Sequence, residues 1–212
     1  MEEIVRKGWH GEAQFALFSR YDKPHWSITT RCDVGALCEA AGAGRASIYR
    51  GTLWAITAAA HDVLAMRLRF AGERIYRHEN IRGSMTVPMP AGGYGYGYIG
   101  HHADYAGFDK ACRAEIARER SGDASPPNTG QSDDLIYLSC LPWLDFTALD
   151  NALPGPDDCI PRVSWGRVVE AQGRRDMAMT LQVHHALVDG EAAGAFFAAV
   201  QSRLDRFASS GR

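Results

Sequence analysis

The 212-residue sequence predicts an α+β fold, a two-layer sandwich of a mixed sheet and helices. Two observations carry this. Apolar residues recur with period two in several short runs and at helical spacing in others. The two kinds do not alternate strand by helix, as a doubly wound parallel sheet requires.

In chain order, Trp26 to Val34 is rich in β-formers and reads as a strand. Ser47 to Met66 carries Tyr49, Leu53, Ile56, Ala60, Val63 and Leu64 on one side, so a helix is expected. Arg67 to Phe70 and Arg74 to Arg77 flank a turn and suggest a hairpin. Met85 to Val87 starts a strand that Pro88 and Pro90 interrupt. Gly92 to Gly100 then alternates glycine and tyrosine. As a strand, it puts the rings on one face and bare backbone on the other. It reads as a pocket lining, a subunit interface or a loose loop. It holds no Gly-x-Gly-x-x-Gly that opens a helix, so no nucleotide site is read. Phe108 to Arg118 is helical, and 121–132 is a loop. Leu135 to Leu141 is apolar on both faces, as in a central strand. Arg162 to Glu170 and Met177 to His185 form a hairpin around Ala171-Gln172-Gly173. A last helix runs from about Gly190 to Arg206.

One domain over 1–212 is expected from the length. A net charge of −2 exerts no general pull on nucleic acid or an anionic membrane. The apolar runs are too short to span a bilayer, and the first residues lack a signal-peptide core. Five cysteines without a Cys-x-x-Cys read as free thiols in a reducing cytoplasm.

The chemistry concentrates in His184-His185-Ala186-Leu187-Val188-Asp189-Gly190, where a strand passes into a helix. Neighbouring strand residues face opposite ways. His185 continues the row of Met177, Met179, Leu181 and Val183, so it is expected to face a core or pocket, where a neutral imidazole can act as a base. From the residues alone it reads more readily as a hydrogen-bonded core histidine. His184 is expected beside Thr180 and Gln182. Two histidines on opposite faces do not make a zinc site, so no metal is expected. Asp189 could cap the next helix, bind a cation such as an arginine, or hold the turn. Gly190 admits backbone shapes that a Cβ forbids. Ser139, a polar residue in an apolar run, reads from the residues alone as a hydroxyl bonded back to the backbone.

This heptapeptide resembles the signature of the chloramphenicol acetyltransferase family. Ser139-Cys140-Leu141-Pro142-Trp143 resembles that family's Ser-Ala-Leu-Pro-Trp segment. Trp9 with Phe15, then Ser27-Ile28-Thr29 and Asp33, is similar to its N-terminal strand region. The resemblance implies a CoA-dependent acyltransferase fold, acetyl-CoA as co-substrate, a small hydroxyl acceptor, and a homotrimer with active sites between subunits. It implies His185 as general base, Ser139 as oxyanion donor, Ser164 as holder of a water, and Asp189 as a structural residue. It sets Trp143 beside the CoA channel, with Phe18, Tyr96 and Tyr98 as acceptor-binding residues. The sequence departs from the family at Gly11, where an arginine usually pairs with the motif aspartate, leaving Arg20 and Arg31 as candidate partners. It departs again at Tyr137, where an asparagine is usual, and in the Gly92–Gly100 run. Chloramphenicol is the first acceptor to consider. Another small alcohol, or a binding protein that has lost turnover, are the alternatives.

Overall fold

The computed structural model describes residues 1–122 and 125–209. Residues 123 and 124 of the predicted loop, and 210–212 at the end, lie outside them. Among the described residues, six strands lie side by side: β2 (His25–Asp33), β9 (Arg174–His184), β8 (Arg162–Ala171), β7 (Leu135–Cys140), β5 (Arg82–Pro88) and β6 (Tyr94–Ile99). β7 is parallel to β8 and β5, and the other pairs are antiparallel. A small antiparallel sheet joins β1 (Glu2–Ile4), β4 (Arg74–Arg77) and β3 (Leu68–Ala71).

One face of the main sheet is apolar. Leu181, Met179, Trp165, Leu138 and Met85 point from it into the core. There they meet Leu37 of α2 (Gly35–Gly42), Leu53 and Ile56 of α3 (Ile48–Asp62), Phe108 of α4 (Tyr105–Arg120) and Phe196 of α5 (Gly190–Ser209). Burying each large side chain contributes about 1.5–3 kcal/mol. α3 is capped by Ser47, whose hydroxyl accepts the Arg50 N–H. It ends at Asp62, earlier than predicted, and a 3-10 turn covers Leu64–Arg67. Gly51 to Ala60 is buried all round rather than on one stripe. Small residues allow this: a Cβ on Gly51 would lie 2.5 Å from Leu37 Cδ1. The short helices α1 (Glu12–Phe18) and α2 carry too few turns for a periodic signal, and the sequence pattern missed both.

The Gly92–Gly100 run contains β6, an edge strand rather than a loose loop. Its bare side faces α4. Glu119 Oε1 accepts the Tyr96 N–H at 3.0 Å, and Glu115 Oε1 accepts the Tyr98 N–H at 2.8 Å. A Cβ on Gly95 would sit 2.4 Å from Glu119 Oε1. Glycine therefore lets two carboxylates seal an edge that would otherwise pair with another chain.

β8 and β9 form the predicted hairpin. Gln172 (φ 53°) and Gly173 (φ 75°) both take the left-handed conformation, as a two-residue type I′ turn requires. A bulge interrupts β8 between Trp165 and Val168. Onto it docks the segment after β7, with the Leu144 carbonyl accepting the Arg167 N–H at 2.8 Å. A Cβ on Gly166 would lie 2.5 Å from that carbonyl oxygen.

The opposite face of the sheet is polar. Ser27, Gln182, Arg162, Tyr137, Ser84 and Tyr98 form one row across all six strands. Residues 142–161 lie over part of this face. Asp150 accepts from the Gln182 amide and the Ser27 hydroxyl, and Asp158 pairs with Arg162 at 2.5 Å.

Candidate active site

The β9 ladder stops at His184, one residue before the sequence pattern implies, because the Leu187 and Val188 N–H groups both turn back to the His184 carbonyl at 3.1 Å. His184, not His185, is the buried histidine, at 2% exposure. It does lie on the side of Thr180 and Gln182. That side is also buried, since 142–161 covers it. His184 Nε2 donates to the Pro156 carbonyl at 3.0 Å, and Nδ1 accepts the Ala186 N–H at 3.1 Å. Such a ring is neutral. Burial, with His25 beside it, pushes its pKa down to about 4.

His185 sits beyond the strand and does not extend the apolar row. Its half-buried ring stacks between Phe18 (centroids 4.0 Å apart, planes at 19°) and Trp26 (4.9 Å, 29°). Its N–H donates to the Pro24 carbonyl at 2.9 Å, and its carbonyl accepts from the Gln14 side chain. Gln14 and Phe18 are four residues apart, so they lie on one face of α1. His185 Nδ1 lies 3.2 Å from the Val188 carbonyl. A carbonyl only accepts, so in the neutral ring Nδ1 carries the hydrogen and Nε2 keeps its lone pair.

Asp189 is the N-cap of α5. Its Oδ1 accepts the Ala192 N–H at 2.8 Å, and its carbonyl accepts the Ala193 N–H at 3.0 Å. Among the described residues no lysine or arginine pairs with it. Arg31, a candidate from sequence, bonds Asp145 at 2.7 Å and Asp176 at 2.8 Å instead. A side chain at Gly11 would have to displace the Trp9 indole: a Cβ would fall 2.3 Å from its ring. The indole fills that space beside Asp189, in a cavity of about 350 Å³ lined also by Gln14 and Leu187. Gly190 keeps an ordinary backbone conformation, so its freedom is not used.

Ser139 stands elsewhere, in β7. It aligns with Ser164 on β8, Thr180 on β9 and Thr29 on β2, a row of four hydroxyls on the polar face. Thr29 and Thr180 bond at 2.6 Å, and Ser164 is buried. Two strand spacings of about 4.8 Å and four residues of about 3.3 Å separate Ser139 from His184. Ser139 and the histidine turn are thus on the order of 16 Å apart within one chain. Tyr96 and Tyr98 are farther still, four strands from β9, or about 19 Å. Tyr96 faces a cavity of about 850 Å³ over the polar face, which Tyr137, Asp158 and Arg162 also line. The Tyr98 hydroxyl donates to the Pro126 carbonyl at 2.9 Å. Only Phe18, of the three predicted acceptor residues, touches His185.

Trp143 is 77% exposed and borders a cavity of about 400 Å³ with Ser47, Tyr49, Arg50, Arg120 and Cys140. Cys140 follows Ser139, so this cavity approaches the serine strand. Burial pushes the Cys140 thiol up to about 11, so it is no nucleophile.

The model of the family "Chloramphenicol acetyltransferase" matches residues 2–201. The chain belongs to the chloramphenicol acetyltransferase family. Chloramphenicol acetyltransferase 2 of Haemophilus influenzae is 22% identical over 199 residues, 93% of each chain. A solved chloramphenicol acetyltransferase shares the fold with a TM-score of 0.83 at 23% identity, over 96% of this chain and all of that one. A probable dihydrolipoamide acetyltransferase from Listeria monocytogenes follows at 0.70 and 14%, over 94% of this chain and 92% of that one. The chain is thus an acetyltransferase with the fold of CoA-dependent acyltransferases. For a chloramphenicol acetyltransferase family member, its histidine turn carries several contacts that the motif does not spell. Gln14, Pro24, Trp26 and the Val188 carbonyl all hold His185. Val188 lies in the motif itself and Trp26 opens the predicted strand, but nothing in the sequence marked Gln14 or Pro24.

Proposed function

We propose that the chain transfers the acetyl group of acetyl-CoA to a hydroxyl of chloramphenicol, as a single domain over 1–212 in the cytoplasm. The observation that carries this reading is the His185 ring, with Nδ1 committed to the Val188 carbonyl and Nε2 left with its lone pair. His185 Nε2 takes the proton of the acceptor hydroxyl as its oxygen attacks the thioester carbonyl. Ser139 donates to the oxygen on which negative charge develops. As the C–S bond breaks, His185 returns the proton to the sulfur of the leaving thiolate. Ser164, in register with Ser139, holds a water near the reacting carbon. Asp189 keeps the turn in place by capping α5. The Trp143 cavity, with Arg120 and an exposed ring on its wall and Arg50 there paired with Asp109, fits an anionic, adenine-bearing co-substrate. No metal enters these steps.

His185 and Ser139 cannot act on one thioester when some 16 Å apart. A homotrimer in which the histidine turn of one subunit faces the serine strand of the next supplies both. In that arrangement Phe18 comes with the histidine, while Tyr96 and Tyr98 come with the serine.

Free thiol release by purified protein with acetyl-CoA and chloramphenicol tests this. Release that is saturable in both, and lost in His185→Ala, supports it. No release by folded protein rules out chloramphenicol. A second acceptor, another small alcohol, is favoured by one observation: charged and hydroxylated side chains line the polar-face cavity, with Arg162 5.0 Å above the Tyr137 ring. A panel of alcohols distinguishes the two by kcat/KM. Acetyl-CoA turnover by any of them excludes a non-catalytic binding protein.

A further inference from the structure

We infer that Trp26 is a positioning residue for His185, acting through its indole N–H as well as its ring. The inference rests on His185 being the base.

Trp26 lies on β2, directly opposite Val183 of β9. Its ring covers one side of the imidazole and Phe18 covers the other. Its Nε1–H donates to the Val188 carbonyl at 3.2 Å. That is the same oxygen that receives His185 Nδ1, also at 3.2 Å. A carbonyl oxygen has two lone pairs, so both donors fit. The helix makes no claim on it: α5 begins by bonding the Asp189 carbonyl, one residue later. Val188 is buried, so water does not compete freely for the oxygen.

The two donors differ in kind. Imidazole can lose the Nδ1 hydrogen by changing tautomer; indole nitrogen is a donor and nothing else. Trp26 therefore fixes where the Val188 oxygen points without depending on the state of His185. A carbonyl held in that place favours the Nδ1–H tautomer, the one that leaves Nε2 as a base. The stacked ring restricts rotation of the imidazole out of its plane. A phenyl ring at position 26 would keep the stack and remove the donor, which separates the two effects.

The test is Trp26→Phe, with Trp26→Tyr as a second variant should the first fold poorly. Nitrogen-15 NMR of histidine-labelled protein reads the tautomer directly, with His185→Gln to assign the signal. The native protein is expected to show His185 with Nδ1 protonated and Nε2 bare. In Trp26→Phe a second population with Nε2 protonated is expected. With acetyl-CoA and chloramphenicol, kcat is expected to fall roughly ten-fold, while KM for acetyl-CoA changes by less than about two-fold. A folded Trp26→Phe protein with the native tautomer and native kcat overturns the inference. The NMR arm needs no turnover, so it stands even if chloramphenicol is not the acceptor. A His185→Ala protein that keeps its rate would instead remove the base itself.

Discussion

The histidine turn and the serine strand are built on opposite plans. At the turn, the backbone groups and Nδ1 of His185 meet backbone or a named side chain, two rings clamp the imidazole, and Nε2 alone keeps its lone pair. The serine strand offers a row of hydroxyls on a sheet face only partly covered by 142–161. One region is closed by contacts within the chain, while the other leaves part of its face, including Ser139, uncovered. A base must be held in one tautomer and one direction, which local contacts can do. In the proposed trimer, an oxyanion donor has only to meet the oxygen when two subunits come together.

His185→Ala tests the finished half and should have the largest effect. Loss of a general base costs on the order of 10²–10⁴-fold in kcat. Binding of acetyl-CoA, measured by calorimetry, should change little, because the cavity beside Trp143 is remote from the turn. A variant with most of its rate would assign proton removal elsewhere.

Ser139→Ala tests the open half, with an expected loss of about 10²–10³-fold. The sharper experiment mixes the two defects. If the halves belong to different subunits, trimers assembled from His185→Ala and Ser139→Ala chains contain interfaces where both residues are native. Co-expressed chains should then exceed either parent by at least ten-fold. Activity no higher than the parents' would place both groups in one chain and break the comparison at its root.

The unequal plans also explain what was legible in the sequence. β8, β9 and α5 announce themselves because their side chains alternate or repeat against one core, β7 because it is a short apolar run, and α3 because its apolar residues recur at helical spacing. Parity correctly set His184 apart from His185, beside Thr180 and Gln182. It misjudged which was buried, because period two records the faces of a strand and says nothing of what covers them. Here Asp150, Asn151 and Pro156 come from a segment without periodicity. The β9 end was misplaced by one residue, since a turn closed by the His184 carbonyl leaves no mark on apolar spacing. Ser139 and Ser164 came from the family resemblance alone, and their alignment in one row became visible only with the strand register. The roles of Trp26 and Gln14 depend on which side-chain atoms meet across the fold, which no spacing encodes.

The buried His184 predicts a pH dependence of stability. His184 is neutral in the fold, with its pKa lowered to about 4 from an ordinary 6.5 by burial and by His25. His61 and His101, stacked at 4.0 Å, are shifted down as well, each chiefly by burial. Between pH 4 and 6.5 the unfolded chain binds more protons at these sites than the folded one. Stability therefore rises with pH across that window and falls on acidification through it. Melting scans between pH 7.5 and 4.5 should show Tm dropping as pH decreases. Replacing His184 with Gln, which keeps a side-chain donor and acceptor, should flatten part of that slope. An unchanged slope in this variant would deny His184 any share in it.

Asp189 carries the smallest expected effect, and it tests how the turn is secured without the family arginine. Its visible work is the cap on Ala192, together with the carbonyl bond to Ala193. Losing a side-chain cap costs about 1 kcal/mol, within a range of roughly 0.5–2. For a chain of this size that lowers Tm by about 2–4 °C. Asp189→Asn keeps an accepting oxygen and removes the charge, so it should lose little stability; Asp189→Ala should lose the full amount. A pairing role would reverse this, with Asn as damaging as Ala, because an ion pair needs the charge and a cap does not. Comparing the two melting curves therefore decides whether the Trp9 indole, packed where a Gly11 side chain would lie, leaves Asp189 as a cap alone or whether a cation reaches it from a neighbouring subunit.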